Sequence, residues 1–234
     1  MQPRTDPVPP ARVRRIALLG GESSGKTTLA RALAERLGAP WVPEYGRQRW
    51  EELRTTLSEH DLVHVARTQV KWEDEHKASN SGWLVCDTTP LTTLQYCLHD
   101  HGRSPSELHE LARRRYDVTV VCQPDFDFVQ DGCRRDDAFR AEQHHWTLAR
   151  LRERGVEPLI VHGSVQARLA QVLDHLDHLD HLDHLAQRVC PDPLAAEAGR
   201  TGAGVPHDTL HERAAKVDRT EPDLGLPNAK VTFR

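Results

Sequence analysis

Gly20-Gly21-Glu22-Ser23-Ser24-Gly25-Lys26-Thr27 fits the pattern G-x-x-x-x-G-K-[ST] at every fixed position. Its flanks supply the context the pattern needs. Before it, Val13–Leu19 carries the apolar run Ile16-Ala17-Leu18-Leu19, which suits a buried parallel strand. After it, Thr27–Leu37 sets Leu29, Leu33, Ala34 and Leu37 on one face of a helix. Gly20 and Gly25 let the backbone curl so that its N–H groups point inward, and the following helix adds the positive end of its dipole. Such a cradle suits phosphate. Lys26 brings a full charge to the β- and γ-phosphates, and the Thr27 hydroxyl is a ligand for Mg²⁺. A glycine turn into an ordinary helix needs neither residue. Gly20, Gly21, Glu22, Ser23, Ser24, Gly25, Lys26, Thr27 and Thr28 are therefore the expected binding loop for ATP with Mg²⁺. The loop does not say where the γ-phosphate goes.

The chain has 234 residues, 38% of them hydrophobic, and a net charge of -4 from 31 basic and 35 acidic side chains. That is enough for one α/β domain with a real core, and it gives no reason to expect nucleic acid or an anionic membrane as partner. No apolar run reaches the length of a membrane span, and the first 15 residues lack the apolar core of a signal peptide. Cys86, Cys97, Cys122, Cys133 and Cys190 form no C-x-x-C pair. A reducing cytoplasm without disulfides is the expectation. The oligomeric state stays open.

Residues 1–12, rich in Pro and Arg, read as a flexible lead, and 13–173 as the folded unit. Strands are expected at Val13–Leu19, Pro40–Pro43, Trp83–Asp87, Val118–Cys122 and Pro158–His162. Helices are expected at Lys26–Leu37, Glu44–Leu53, Asp61–Lys77, Leu91–His99, Pro105–Arg115, Asp137–Arg154 and from Val165 through Leu173 onward. The alternation predicts a parallel five-stranded sheet with helices on both faces. Its ligand site belongs at the carboxyl ends of the strands. Residues 174–185 repeat Asp-His-Leu four times. A period of three drifts around a helix, so these leucines cannot hold one buried stripe. The tract reads either as a metal-binding His/Asp segment or as a repeat expansion extending the last helix into solvent. Residues 186–234, rich in Pro, Gly, Ala and charge from Pro191 onward, read as a disordered tail.

Three further segments bear on the acceptor. Asp87 ends the run Trp83-Leu84-Val85-Cys86, placed to organise Mg²⁺ or to take a proton; the plainer reading is an N-cap before Pro90. Thr88 or Thr89 is a candidate phosphate or sugar contact. Glu44-Tyr45-Gly46-Arg47 follows the second strand. Glu44 there can accept a hydroxyl proton and Arg47 can bridge acceptor and phosphate, or the two can simply pair on a helix surface. Asp131-Gly132-Cys133-Arg134-Arg135-Asp136-Asp137 with Arg140 suits a lid that brings Arg134 and Arg140 over the triphosphate, or else a solvated loop capped by Asp137.

In order and spacing these pieces resemble the ribosylnicotinamide (nicotinamide riboside) kinase domain of the NadR-type NAD-biosynthesis proteins, over residues 13–173. The resemblance implies a thymidylate-kinase-like P-loop fold, with ATP-dependent phosphorylation of the 5′-hydroxyl of nicotinamide riboside. It adds weight to Glu44, Arg47 and Asp87; with Lys26 and Arg134 these are the expected catalytic residues, and Thr27 and Asp87 are the expected Mg²⁺ pair. The family places an aromatic immediately before Glu-Tyr-Gly-Arg; this chain has Pro43 there and Trp41 two residues earlier. A second aromatic belongs near Gln69, where Trp72 is the nearby tryptophan. No H-x-G-H signature occurs, so nucleotidyl transfer and DNA-binding repression are not expected. The competing readings are another nucleoside or nucleotide acceptor, for which Arg49 and Arg54 are the added basic candidates, and a regulatory P-loop ATPase.

Overall fold

The computed structural model describes residues 13–76, 82–132 and 134–189, with side chains as far as Leu185. The lead at 1–12, the tail beyond 189, Cys133 and Cys190 lie outside the described residues. The chain divides into two units, Met1–Leu185 and Ala186–Arg234.

Strand β1 (Arg14–Leu19) lies at the middle of the sheet, where Ile16, Ala17, Leu18 and Leu19 have almost no exposed surface. It pairs in parallel with β3 (Trp83–Asp87) on one side and β4 (Val118–Cys122) on the other. Outside these lie β2 (Trp41–Val42) and β5 (Leu159–Val161), giving the order β2-β3-β1-β4-β5 with all pairs parallel. Helix α1 (Lys26–Leu37) returns from β1, and α2 (Tyr45–Leu53) and α3 (Glu59–Glu75) carry the chain from β2 to β3. Helices α4 (Pro90–His101) and α5 (Ser106–Ala112) lead to β4, α6 (Asp137–Glu153) leads to β5, and α7 (Val165–Val189) follows. This is the expected five-stranded α/β sheet.

The two faces are covered by different helices. Ile16, Leu18, Val85, Val120 and Cys122 pack against α1 and α7. Leu19 and Val121 point the other way, into the layer that contains residues of α3, α4, α5 and α6. The helices that follow β1 and β4 therefore lie on opposite faces, which opens a crevice at the carboxyl ends of the two strands.

Several boundaries differ from the sequence expectation for a capping reason. Helix α3 starts two residues early, because Ser58 and Asp61 form a reciprocal capping box. Thr89, not Asp87, caps α4: its hydroxyl accepts from the Leu91 amide, and Pro90 fills the first turn. Asp136, not Asp137, caps α6 by accepting from the Phe139 amide. Asp87 is thereby released from the structural role that competed for it.

The Asp-His-Leu repeat is helical throughout its described length, but its first half does not project into solvent. Leu176 is 3% exposed in the core, Leu179 packs against it, and Leu182 and Leu185 are 46% and 42% exposed. Each triplet falls about 60° short of a turn, so the leucines rotate off the core in sequence. Arg14 lies over the Trp83 ring and pairs with Asp180 at 2.7 Å, which pins the outgoing part of the helix. Among the described residues, no group of three or more His, Cys, Asp or Glu is gathered to hold a metal ion.

At the amino end of the sheet, Glu73 is fully buried. It accepts from Arg114 at 2.6 Å and from the Tyr116 hydroxyl at 3.1 Å. Burial raises its carboxyl to about 7, with Arg114 and Tyr116 opposing. Between the ordinary value of 4.5 and about 7, the folded chain keeps a proton that the unfolded chain has released. The stability this provides is complete below about 4.5 and is lost as pH rises toward 7. The urea midpoint should therefore fall with rising pH in this window, and Glu73→Gln should flatten the fall. Parallel curves for the two proteins would show that Arg114 keeps the carboxylate ionised throughout.

Candidate functional site

The phosphate loop fills the crevice after β1, and its shape depends on two close approaches. Gly20 has φ +138°, and a Cβ there would lie 2.7 Å from the Cys122 carbonyl oxygen. A Cβ on Gly21 would meet the Arg140 carbonyl oxygen at 2.5 Å. The loop is thus wedged between β4 and α6 at positions only glycine fits. Ser23 also has positive φ, at 53°. The outward carbonyls find donors: Lys26 Nζ donates to Gly20 and Gly21 at 3.0 and 2.8 Å, and Ser24 Oγ donates to Gly21 at 2.7 Å.

Arg168 completes the set from α7. Its guanidinium is 1% exposed and donates to Ser24 O at 2.6 Å, Gln123 O at 2.8 Å and Gly163 O at 2.9 Å. It also pairs with Asp125 and stacks on Phe126. One side chain thus ties the loops after β1, β4 and β5 together. The signal in the sequence was an arginine at the head of the buried row Arg168, Val172, Leu176, where an unpaired charge would be untenable.

In front of the loop lies a cavity of about 560 Å³, within the range of small-molecule sites. It is lined by Glu22 to Thr28 and by Glu44, Arg47 and Arg134, and these predicted residues share one space. Glu44 occupies the N-cap position of α2, but its side chain makes no capping bond. Part of its surface opens to the cavity while protein surrounds the rest. Burial raises its carboxyl above the ordinary range; Lys26 and Arg47 pull it down, Asp87 and Glu22 push it up.

Asp87 is placed differently. It is fully buried and does not line the cavity, lying behind the loop at the end of β3. Neither carboxylate oxygen has a partner in good hydrogen-bond geometry. Burial raises its carboxyl, against the Thr27 hydroxyl, Lys26, Arg31 and Arg47. A buried carboxylate without a firm partner, beside a hydroxyl, is a donor set suited to Mg²⁺. The next residue, Thr88, combines φ +74° with a buried, unpartnered hydroxyl and lines the cavity. Backbone strain of this kind is uncommon in a β-branched residue and concentrates at functional turns.

The segment after β4 lies over the loop. Val129 N–H donates to Ser23 Oγ at 3.0 Å, and the Arg135 N–H donates to Glu22 Oε2 at 2.7 Å. Arg134 reaches Ser23 Oγ at 3.4 Å and Asp131 at 3.3 Å, and Asp131 also pairs with Arg47. Arg140 is the exception among the predicted arginines. It is 6% exposed, donates to Phe126 O at 2.8 Å, pairs with Asp137 and does not line the cavity. It packs α6 against Gly21. Glu22 accepts from Tyr96 at 2.7 Å, and its own N–H donates to Gln143.

The tryptophans are distributed otherwise than expected. Trp41 packs toward the α1 side under Arg31, and Trp72 lies edge-on to Tyr45 in the core. Trp50 is the tryptophan that lines the cavity among the described residues, together with Tyr96. Its exposed polar helix gave no reason to single it out. Arg49 is bound to Asp61 at 2.7 Å, and Arg54 to the Glu51 carbonyl at 3.0 Å; neither lines the cavity.

Residues 15–168 match the family model AAA_28, described as an AAA domain. The chain belongs to that family. It is 31% identical over 134 residues to the Trifunctional NAD biosynthesis/regulator protein NadR of Salmonella typhimurium, covering 54% of this chain and 32% of that protein. The chain thus spans about a third of that relative's length. The crystal structure of a NadR protein in complex with NR superposes with TM-score 0.57 at 23% identity, covering 69% of this chain and 51% of that one. Thymidylate kinase from Candida albicans superposes with TM-score 0.53 at 15% identity, covering 72% and 93%. The fold is therefore the thymidylate-kinase-like P-loop fold. No helix among the described residues is long and apolar enough to cross a membrane.

Arg168→Met should lower unfolding stability by about 1–3 kcal/mol, because it leaves the buried Ser24 carbonyl and the Gln123 and Gly163 carbonyls without their donor, while Asp125 keeps the Gly163 N–H and its contact with solvent. Urea denaturation checks this, and a loss below about 1 kcal/mol would mean that the loops are held by other contacts.

Proposed function

We propose that this chain transfers the γ-phosphate of ATP to the 5′-hydroxyl of nicotinamide riboside. The observation that carries the proposal is Glu44: a carboxylate without a capping duty, raised by burial, sharing one cavity with Lys26 and the phosphate loop. The likeness to NadR and to a solved NadR holding NR supports the choice of acceptor.

The loop amides and the start of α1 hold the phosphates. Lys26 exchanges the Gly20 and Gly21 carbonyls for phosphate oxygens. Thr27 and Asp87 would hold Mg²⁺, which would neutralise charge on the phosphates when bound. Glu44 accepts the proton of the attacking hydroxyl. Arg47 and Arg134, joined through Asp131, steady the charge on the transferring group, and the segment bearing Arg134 excludes water. Trp50 offers an aromatic face to the acceptor's ring in place of Trp41 and Trp72. Arg49 and Arg54 are engaged away from the cavity, which favours a nucleoside, with no phosphate of its own, over a nucleotide.

Two measurements test this reading. In a transfer assay across a nucleoside panel that includes nicotinamide riboside, Glu44→Gln should lower kcat by about 10²–10⁴ with little change in KM for ATP. Activity in the unmodified chain should fall with acid from a pH above the ordinary carboxylate range, because a raised carboxyl must lose its proton to act as base. Hydrolysis of ATP indifferent to every acceptor would instead indicate a regulatory ATPase. Trp50→Ala should raise the acceptor's KM about tenfold, corresponding to a base stack of roughly 1–3 kcal/mol, and leave the KM for ATP in place. An unchanged acceptor KM would remove Trp50 from the site.

A further inference from the structure

A second cavity, of about 340 Å³, lies on the face of the sheet opposite α1 and α7, among the ends of α4, α5 and α6. Its floor is apolar: Leu19 at the end of β1, Leu91 in the first turn of α4 and Leu151 near the end of α6 are each 4% exposed or less. Its rim carries Arg113, Arg114, Arg115 and Arg154, and no aspartate or glutamate lines it.

The four arginines are not equally occupied. Arg113 pairs with Glu110 at 3.0 Å, and Arg114 with Glu73 at 2.6 Å, both carboxylates lying outside the lining. Arg154 donates to the Ala112 carbonyl and has no carboxylate partner within ion-pair distance among the described residues. Arg115 is exposed and makes no hydrogen bond or ion pair among the described residues. Burial and the like charges of Arg150 and Arg113 hold the Arg154 guanidinium below its ordinary value. Arg150 answers to Glu153 at 2.8 Å on the helix surface. Arg115 and Arg154 thus stand at the lip of an apolar recess with no carboxylate in ion-pair contact among the described residues, Glu153 acting on Arg154 only from a distance.

We propose that this cavity is a binding site for a small amphipathic anion, its carboxylate or phosphate on Arg115 and Arg154 and its compact apolar body against Leu19, Leu91 and Leu151. A planar guanidinium suits either head group through paired N–H donors. The site is separate from the phosphate loop but adjoins it from behind, since Leu19 immediately precedes Gly20. It does not depend on the choice of acceptor in the front cavity.

Isothermal titration of the full chain with benzoate and with phenyl phosphate tests the proposal, each repeated in Lys26→Ala to remove the charge of the phosphate loop. We expect one saturable site for at least one probe, unchanged in Lys26→Ala and weakened at least tenfold in Arg115→Ala and in Arg115→Ala/Arg154→Ala. Arg115→Ala removes no bond of the folded chain, and thermal melting of both variants checks the fold. Tighter binding of phenyl phosphate assigns the head group as phosphate, and tighter binding of benzoate assigns it as carboxylate. The proposal is overturned by no saturable binding of either probe, by binding that disappears in Lys26→Ala, or by binding indifferent to both arginine variants.

Discussion

A loop that turns its amides inward must turn its carbonyls outward, and those carbonyls lie where water does not reach. The Arg168 guanidinium resolves this where the loops after β1, β4 and β5 meet. Its fixed fork of donors meets Ser24, Gln123 and Gly163 while its charge answers Asp125. Lys26 and Ser24 serve the remaining loop carbonyls. A buried guanidinium is costly unless every donor is used, so the same geometry that satisfies it also fixes the separation of three loops. The concave ring of amides follows from that fixed separation.

Around this frame, carboxylates and cations are arranged by depth. Asp87 is fully buried and Glu44 faces the cavity, each raised by desolvation and each lowered by Lys26 and Arg47. Glu22 and Asp131 belong to a different set: they join the loop and α2 to the segment after β4 through Arg135, Arg47 and Arg134. Glu44 and Asp87 thus take no part in joining these segments, whereas Glu22 and Asp131 hold the walls together. The strained Thr88 lies between Asp87 and the cap of α4.

Much of the architecture was legible in the sequence because it rests on local rules. Ile16-Ala17-Leu18-Leu19 reads as a buried strand and is one, and the expected bounds of α1, Lys26–Leu37, agree with the structure, where Gly38 caps it in the left-handed conformation. Caps were less secure where two candidates adjoin, as with Asp136 and Asp137, since either carboxylate satisfies the same rule. In the site, the loop was readable because its chemistry is contiguous. Arg168 and Trp50 were not, since each acts across the fold on groups far away in the chain. Arg140 was misplaced for the opposite reason: an arginine close in sequence to Arg134 turns inward on the next helix and packs instead of reaching the cavity.

The terminal helix carries a unit that neither the core nor the cavity requires in a set number. Beyond Leu179 each added Asp-His-Leu triplet contributes about 4.5 Å of length and about 60° of backward rotation, with no new apolar contact to satisfy. Gain or loss of one triplet there would change the length of the exposed part of the helix while leaving Arg168 and the phosphate cradle untouched. The outer turns can therefore vary in number without altering the core that holds the cavity.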